Sequence, residues 1–325
     1  MIGMVSCAET EIISEPEFTP GDEITLNLTA SESLSTRAGS DHNLRFTAKL
    51  FKDKYNSDQG NQFLDVKQGI ASNGECTIVF NVPTGDYQIL IFADYIPKSS
   101  TANSDGLYPD AYYDTSSKNE DIRMIAFSTN DSDHTYISQN CINNDNYDCF
   151  SGMTEVIHKT TAKHEESIVL KRATAKVRFV SITDAPASVN NISFKQFYCF
   201  DWYKQFFQKV TCEKKYNQMR LSSHQLSSMS NPSENELFYF YTLAPNDDDT
   251  NLGTFDFDII FANGTSRNVY IGGGKIKVKK NHVTTVRGAL LSDPAGDSNE
   301  DGDIILHLTP SLDWENPEIT TTTTM

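Results

Sequence analysis

The sequence predicts an all-β protein built from β-sandwiches. Two observations carry this. Apolar and polar residues alternate with period two in run after run, and no segment holds an apolar stripe of period 3.6 over three turns. Taken in order, Glu23–Thr29 and Leu44–Leu50 alternate strictly. Thr77–Val82 and Tyr87–Ala93 flank Pro83-Thr-Gly-Asp86, where proline presets φ and glycine frees it, so a turn is expected between two strands. Further strands are expected at Ser167–Leu170, Thr174–Ile182, Ile192–Phe200, Leu237–Leu243, Phe255–Ala262, Arg267–Ile271 and Lys275–Val278. Gly272-Gly-Gly274 marks a reversal before the last of these, and Asp303–Leu308 closes the series.

A chain of 325 residues is about twice the common domain size, so two domains are expected. The strand signal restarts at Lys171, which sets the boundaries. Residues 1–22 are a signal remnant and tether, 23–171 a first β-sandwich with long loops, 172–314 a second sandwich, and 315–325 a disordered tail ending in threonines. Within the first domain, Pro97–His164 is polar and holds one clear apolar run, Met124–Phe127, so it reads as long loops.

Hydrophobic residues at 38% and aromatics at 11% suffice for a packed core. With 27 basic and 44 acidic residues the net charge is −17, which disfavours nucleic acid and anionic lipid as partners. No apolar run reaches the length of a membrane-spanning helix.

The chemistry-bearing motifs are few. There is no Gly-x-Ser-x-Gly elbow, His-Glu-x-x-His pair or phosphate-cradling glycine loop, so neither catalysis nor a cofactor is expected. Gly272-Gly-Gly-Lys275 lacks the spacing and the hydroxyl residue of a phosphate loop. His158 and His164 read as surface residues. Asp297-Ser-Asn299-Glu-Asp301-Gly302 matches the opening of a calcium loop, with Asp297, Asn299 and Asp301 as the ligands it offers. Position 12 is Leu308 where the bidentate glutamate belongs, so an acidic turn is the preferred reading and no metal is expected. The six cysteines form no Cys-x-x-Cys pair. Cys141 and Cys149 are close enough to bridge, but free thiols are expected. Phe194–Phe207 is dense in aromatics. Core packing accounts for about half of them, and the loop around Trp202 and Tyr203 is a candidate surface for stacking on sugars.

Both ends of the chain carry processing or assembly signals. Val5-Ser6-Cys7 resembles the end of a bacterial lipoprotein signal, making Cys7 a candidate lipidation site. The upstream signal it requires is expected to lie before Met1. Ala8–Glu23 is acidic, with Pro16 and Pro20, and reads as an extended tether. The first and last strands share the pattern Ile-x-Leu-x-Leu-Thr after an acid: Ile24, Leu26 and Leu28 in one, Ile304, Leu306 and Leu308 in the other. On each, three aliphatic side chains share a face and could fill similar grooves. The polar segment Leu34–Ser40 after the first strand offers a trypsin-like protease the Arg37–Ala38 bond. Arg45 and Arg172 lie beside strand residues and are expected to be protected.

Several of these motifs together resemble the fimbrillins, the type V pilus subunits of Bacteroidia. They are Cys7, Thr36-Arg37-Ala38, Val82-Pro-Thr-Gly-Asp-Tyr87 running into Ile89–Tyr95, Leu170-Lys-Arg-Ala-Thr-Ala-Lys-Val-Arg-Phe179, Lys279–Thr284 followed by Gly288, and Asp313-Trp314. The resemblance implies two transthyretin-like β-sandwich domains in tandem and a lipoprotein anchored to the outer membrane before assembly. It also implies cleavage after an arginine to release the first strand, and polymerisation by donor-strand exchange. Other fimbrial subunits are then the partners, with a host glycan or protein as a further ligand. The alternative reading is a monomeric surface lipoprotein that binds glycan through loop aromatics.

Overall fold

The computed structural model describes residues 22–30, 41–53, 63–115, 142–181, 192–194, 235–244, 250–288 and 290–291, and the backbone alone of 121–124, 189–191, 195–196, 202–206, 209–211 and 307–313. Among these residues the chain is strand and connection, with a single 3-10 turn at Asp145–Tyr147. In chain order the strands are β1 (Glu23–Ala30), β2 (His42–Lys52), β3 (Phe63–Ile70), β4 (Glu75–Asn81), β5 (Gly85–Pro97), β6 (Tyr113–Asp114) and β7 (Asp121–Met124). There follow β8 (Cys149–Met153), β9 (Ile157–Lys159), β10 (Lys163–Arg172), β11 (Thr174–Ser181), β12 (Val189–Gln196), β13 (Trp202–Phe206) and β14 (Lys209–Thr211). The last seven are β15 (Glu236–Leu243), β16 (Thr250–Asn251), β17 (Phe255–Phe261), β18 (Ser266–Ile271), β19 (Lys277–Val278), β20 (His282–Gly288) and β21 (His307–Asp313). The all-β expectation holds.

An eight-stranded sheet runs β3-β2-β5-β8-β10-β1-β4, with β9 added beside β5. It folds into two ladders, β4-β1-β10 and β3-β2-β5-β8, whose inner faces share one apolar cluster. Ile24, Leu26, Leu28 and Phe80 of the first meet Phe46, Leu50, Ile89 and Ile91 of the second. Lys171 and Arg172 of β10 pair with Ser151 and Phe150 of β8 to join the ladders. At the far edge β3 returns along β4, where Lys67 Nζ donates to Val79 O at 2.7 Å. That approach depends on Gly69, because a Cβ there would collide with Cys76 Sγ. The turn at Pro83–Asp86 links strands of different ladders, since β4 pairs with β1 while β5 pairs with β2 and β8.

Downstream, the sheets β15-β11-β20-β21 and β12-β17-β18 enclose a second cluster. Its centre is aromatic: Phe179 stacks on Phe238 with centroids 4.5 Å apart, and Phe257 meets both edge-on. The interior changes cluster between Leu170 and Ala173, beside the boundary expected at Lys171. Phe92, Tyr113, Ile142, Tyr147 and Cys149, all upstream, belong to the downstream cluster.

Two expectations need correction. Pro97–His164, read as loops, contains β8 and β9, and Phe150 and Ile157 lie in the first core. These strands are five and three residues long, too short for alternation to register. Trp202 and Tyr203 stand in a strand, β13, whose backbone pairs with β7 at Arg123 and Ile122. The final strand is described at His307–Asp313, and residues 303–306 of the strand expected at Asp303–Leu308 lie outside the described residues. Its ladder with β20 shifts register around Pro310, which an edge strand tolerates.

Candidate functional site

β1 is the element that the sequence marks for function, and the fold places it inside a sheet. It pairs in parallel with β10 along its whole length, Glu23 opposite Lys163 through Ala30 opposite Leu170. On its other side it pairs antiparallel with β4, from Glu23 opposite Asn81 to Thr29 opposite Glu75. Period two then sorts its side chains: Ile24, Leu26 and Leu28 are buried in the first core, while Asn27 is exposed and accepts from Thr77 Oγ1 at 3.3 Å. The strand therefore fills a groove walled by β10 and β4 and floored by the apolar side chains of the facing ladder.

The N-terminal end of β1 is pinned by charge. Asp22 Oδ1 lies 3.4 Å from Lys159 Nζ, a lysine only 1% exposed, which also donates to Thr161 O at 2.8 Å. Glu23 Oε1 lies 3.1 Å from Lys163 Nζ at a far more exposed position. Backbone bonds complete the pin: Glu23 N donates to Ala162 O at 2.7 Å, and Val82 N to Asp22 O at 3.2 Å. Nearby, Tyr87 Oη donates to Pro83 O, and burial, then the Asp22 carboxylate, push its phenol above the ordinary range. Lys159 and Lys163 were not legible in the sequence, because both lie in a polar stretch without periodicity.

The competing arginines are protected as expected. Arg45 is fully buried: Nε and Nη2 bind the two carboxylate oxygens of Asp94 at 2.9 and 2.8 Å, and Nη2 reaches Asp110 at 2.9 Å. Tyr108 O accepts from its Nη1, so the segment after β5 closes over it. Burial lifts the Asp94 carboxyl to about 6 although Arg45 pulls it down. Arg172 is 1% exposed. Its Nε lies 2.8 Å from both oxygens of Asp148, and Nη1 donates to Asn281 Oδ1 at 3.1 Å.

The other sequence candidates separate. Cys7, Arg37, Ala38, Asp297, Asn299, Asp301, Ile304, Leu306 and Cys141 lie outside the described residues. Leu308 falls in β21, its backbone opposite Val286 on the edge of its own sheet. His158 is exposed and bonded to Asp86 at 2.7 Å; His164 bonds Glu166 at 2.8 Å. Cys149 and Cys76 are buried free thiols, and burial pushes the Cys76 thiol up to about 11. Among the described residues no group of three His, Cys, Asp or Glu side chains is placed to hold a metal ion.

Solved structures similar to this chain include the tip fimbrial protein Mfa3 from Porphyromonas gingivalis, at 14% identity and a TM-score of 0.43, covering 90% of this chain and 99% of that one. The fimbrial anchor protein Mfa2 of the same organism matches at 10% identity and a TM-score of 0.44, over 88% and 95% of the two chains. A fimbrial assembly protein from Parabacteroides distasonis matches at 11% and 0.43, over 93% and 98%. No curated protein matches the chain. Residues 19–325 match the model of DUF6562, described as a family of unknown function, and the chain belongs to that family.

Proposed function

We propose that this protein is a structural and adhesive subunit of a bacterial surface fimbria, assembled by exchange of its first strand. The observation that supports this reading most directly is the position of β1. It is buried on its apolar face and paired on both sides, yet only the segment 31–40 joins it to β2. Cleavage at Arg37–Ala38 disconnects β1 from the body while leaving both walls of its groove in place. The emptied groove then has two rows of unpaired backbone groups and an uncovered apolar floor, which an extended strand of another subunit satisfies. Three buried aliphatic side chains supply roughly 1.5–3 kcal/mol each, and the ladder bonds roughly 0.5–1.5 kcal/mol each, before the cost of ordering the strand. Ile304, Leu306 and Leu308 are the residues this chain offers to a neighbour's groove, a donation in which Leu308 leaves its edge pairing with Val286. Before assembly Cys7 carries the lipid that holds the subunit at the outer membrane.

The test is to sequence the N-terminus of the subunit recovered from assembled surface fibres. Ala38 is the expected first residue. Fibres built from chains that still begin at Cys7 would show that β1 is retained, and the exchange reading would fall.

A further inference from the structure

We infer that the groove selects its strand by charge as well as by apolar pattern, that Lys159 is the selecting residue, and that the strand it takes comes from a different chain carrying Asp or Glu two positions before its first aliphatic residue. The inference rests on the strand-exchange reading above and names the partner that reading leaves open.

Lys159 belongs to β9, which pairs with β5 in the ladder facing β1. Its ammonium therefore stays with the body of the protein when β1 departs. Asp22, which neutralises it, lies on the departing side of the chain. Among the described residues, what remains within reach of Nζ is the Thr161 carbonyl, one neutral acceptor for a fully buried charge. A buried ammonium left without its carboxylate is strongly unfavourable, and the penalty falls on any occupant that fails to replace the acid. Lys163 adds little discrimination, because 70% of its side chain is exposed and water screens its pairing with Glu23.

In a strand that enters in the direction of β1, the selected position is that of Asp22. Aligning the terminal strand of this chain on β1 by its aliphatic residues sets Asp303 where Glu23 stands and Gly302 where Asp22 stands. It thus supplies the acid at the screened position and nothing at the buried one. A second copy of this chain is a poor donor to its own groove, and assembly runs between unlike subunits.

The experiment uses the full chain with a site-specific protease sequence between Ala30 and Asp41, cut once so that β1 stays bound non-covalently. Uptake of fluorescent peptides is followed by anisotropy. The β1 peptide 21–30 is expected to enter, its Asp22→Asn form at least about tenfold more weakly, and the difference to shrink to about threefold or less in Lys159→Met protein. A peptide of residues 301–310 is expected to gain at least about tenfold when Gly302→Asp is made. If Lys159→Met does not fold, the Asp22→Asn comparison and the Gly302→Asp gain decide in the unaltered protein. Equal entry of acid and amide peptides overturns charge selection while leaving strand exchange standing. Entry of no peptide overturns strand exchange and charge selection together.

Discussion

At the scale of single residues, the chain invests in buried ion pairs whose partners come from distant segments. Asp148 is held by Arg172, by Thr174 Oγ1 at 2.8 Å and by the Cys149 amide at 3.0 Å, at the point where the interior passes from one cluster to the other. Asp148→Ala removes the carboxylate that neutralises the buried Arg172 guanidinium, and equilibrium urea unfolding is expected to show a loss of about 3–5 kcal/mol. Asp94 behaves differently with pH. Its folded carboxyl titrates near 6, above the ordinary 3.8, so between about pH 6 and 4 the folded chain holds a proton that the unfolded chain releases. Its contribution to stability is therefore fully present below pH 4 and lost as pH rises to 6. Stability curves of the protein and of Asp94→Asn are expected to run parallel above pH 6. They diverge in favour of the unaltered protein on acidification, by on the order of 2–3 kcal/mol. Arg172 also shows where sequence reading stopped. Its protection beside a strand was legible, but its partners lie 24 and 109 residues away, and nothing local names them.

At the scale of elements, β1 tests the groove and β3 tests its closure. Leu26→Ala in the intact chain opens a cavity in the first core and is expected to cost about 2–5 kcal/mol by chemical denaturation, whereas Asn27→Ala on the exposed face stays within about 0.5 kcal/mol. Gly69→Ala pushes a methyl into Cys76 Sγ where β3 runs beside β4, with an expected loss of about 1–3 kcal/mol. Cys76→Ala removes the colliding atom, so the double variant should recover most of that loss. If it does not, strain in the β3 backbone is responsible. Strands such as β1, β2 and β5 were legible because one buried face imposes strict alternation on them or because they are long and apolar. β8 is not legible because its five residues, Cys-Phe-Ser-Gly-Met, carry too little pattern.

At the scale of the molecule, the two clusters are not independent. Phe92 and Tyr113, with rings 5.2 Å apart edge-on, and Tyr147 and Cys149 complete the downstream core from upstream segments. A fragment of residues 172–325 lacks all of them. It is expected to lose the fixed aromatic environment seen by near-ultraviolet circular dichroism, while the full chain keeps it. A fragment with an intact near-ultraviolet spectrum would show that the downstream sheets suffice without these side chains.

What the sequence determined by itself is the class of the fold, most strand positions, the buried face of β1 and the protection of Arg45 and Arg172 within the fold. Each of these follows from local alternation, which is a property of neighbouring residues. Only the tertiary structure decided that β1 runs parallel to β10, that Pro83–Asp86 crosses between ladders, and that Lys159 meets Asp22. Those pairings join segments up to 140 residues apart, and they are set by which faces must be buried together and which buried charges must be neutralised.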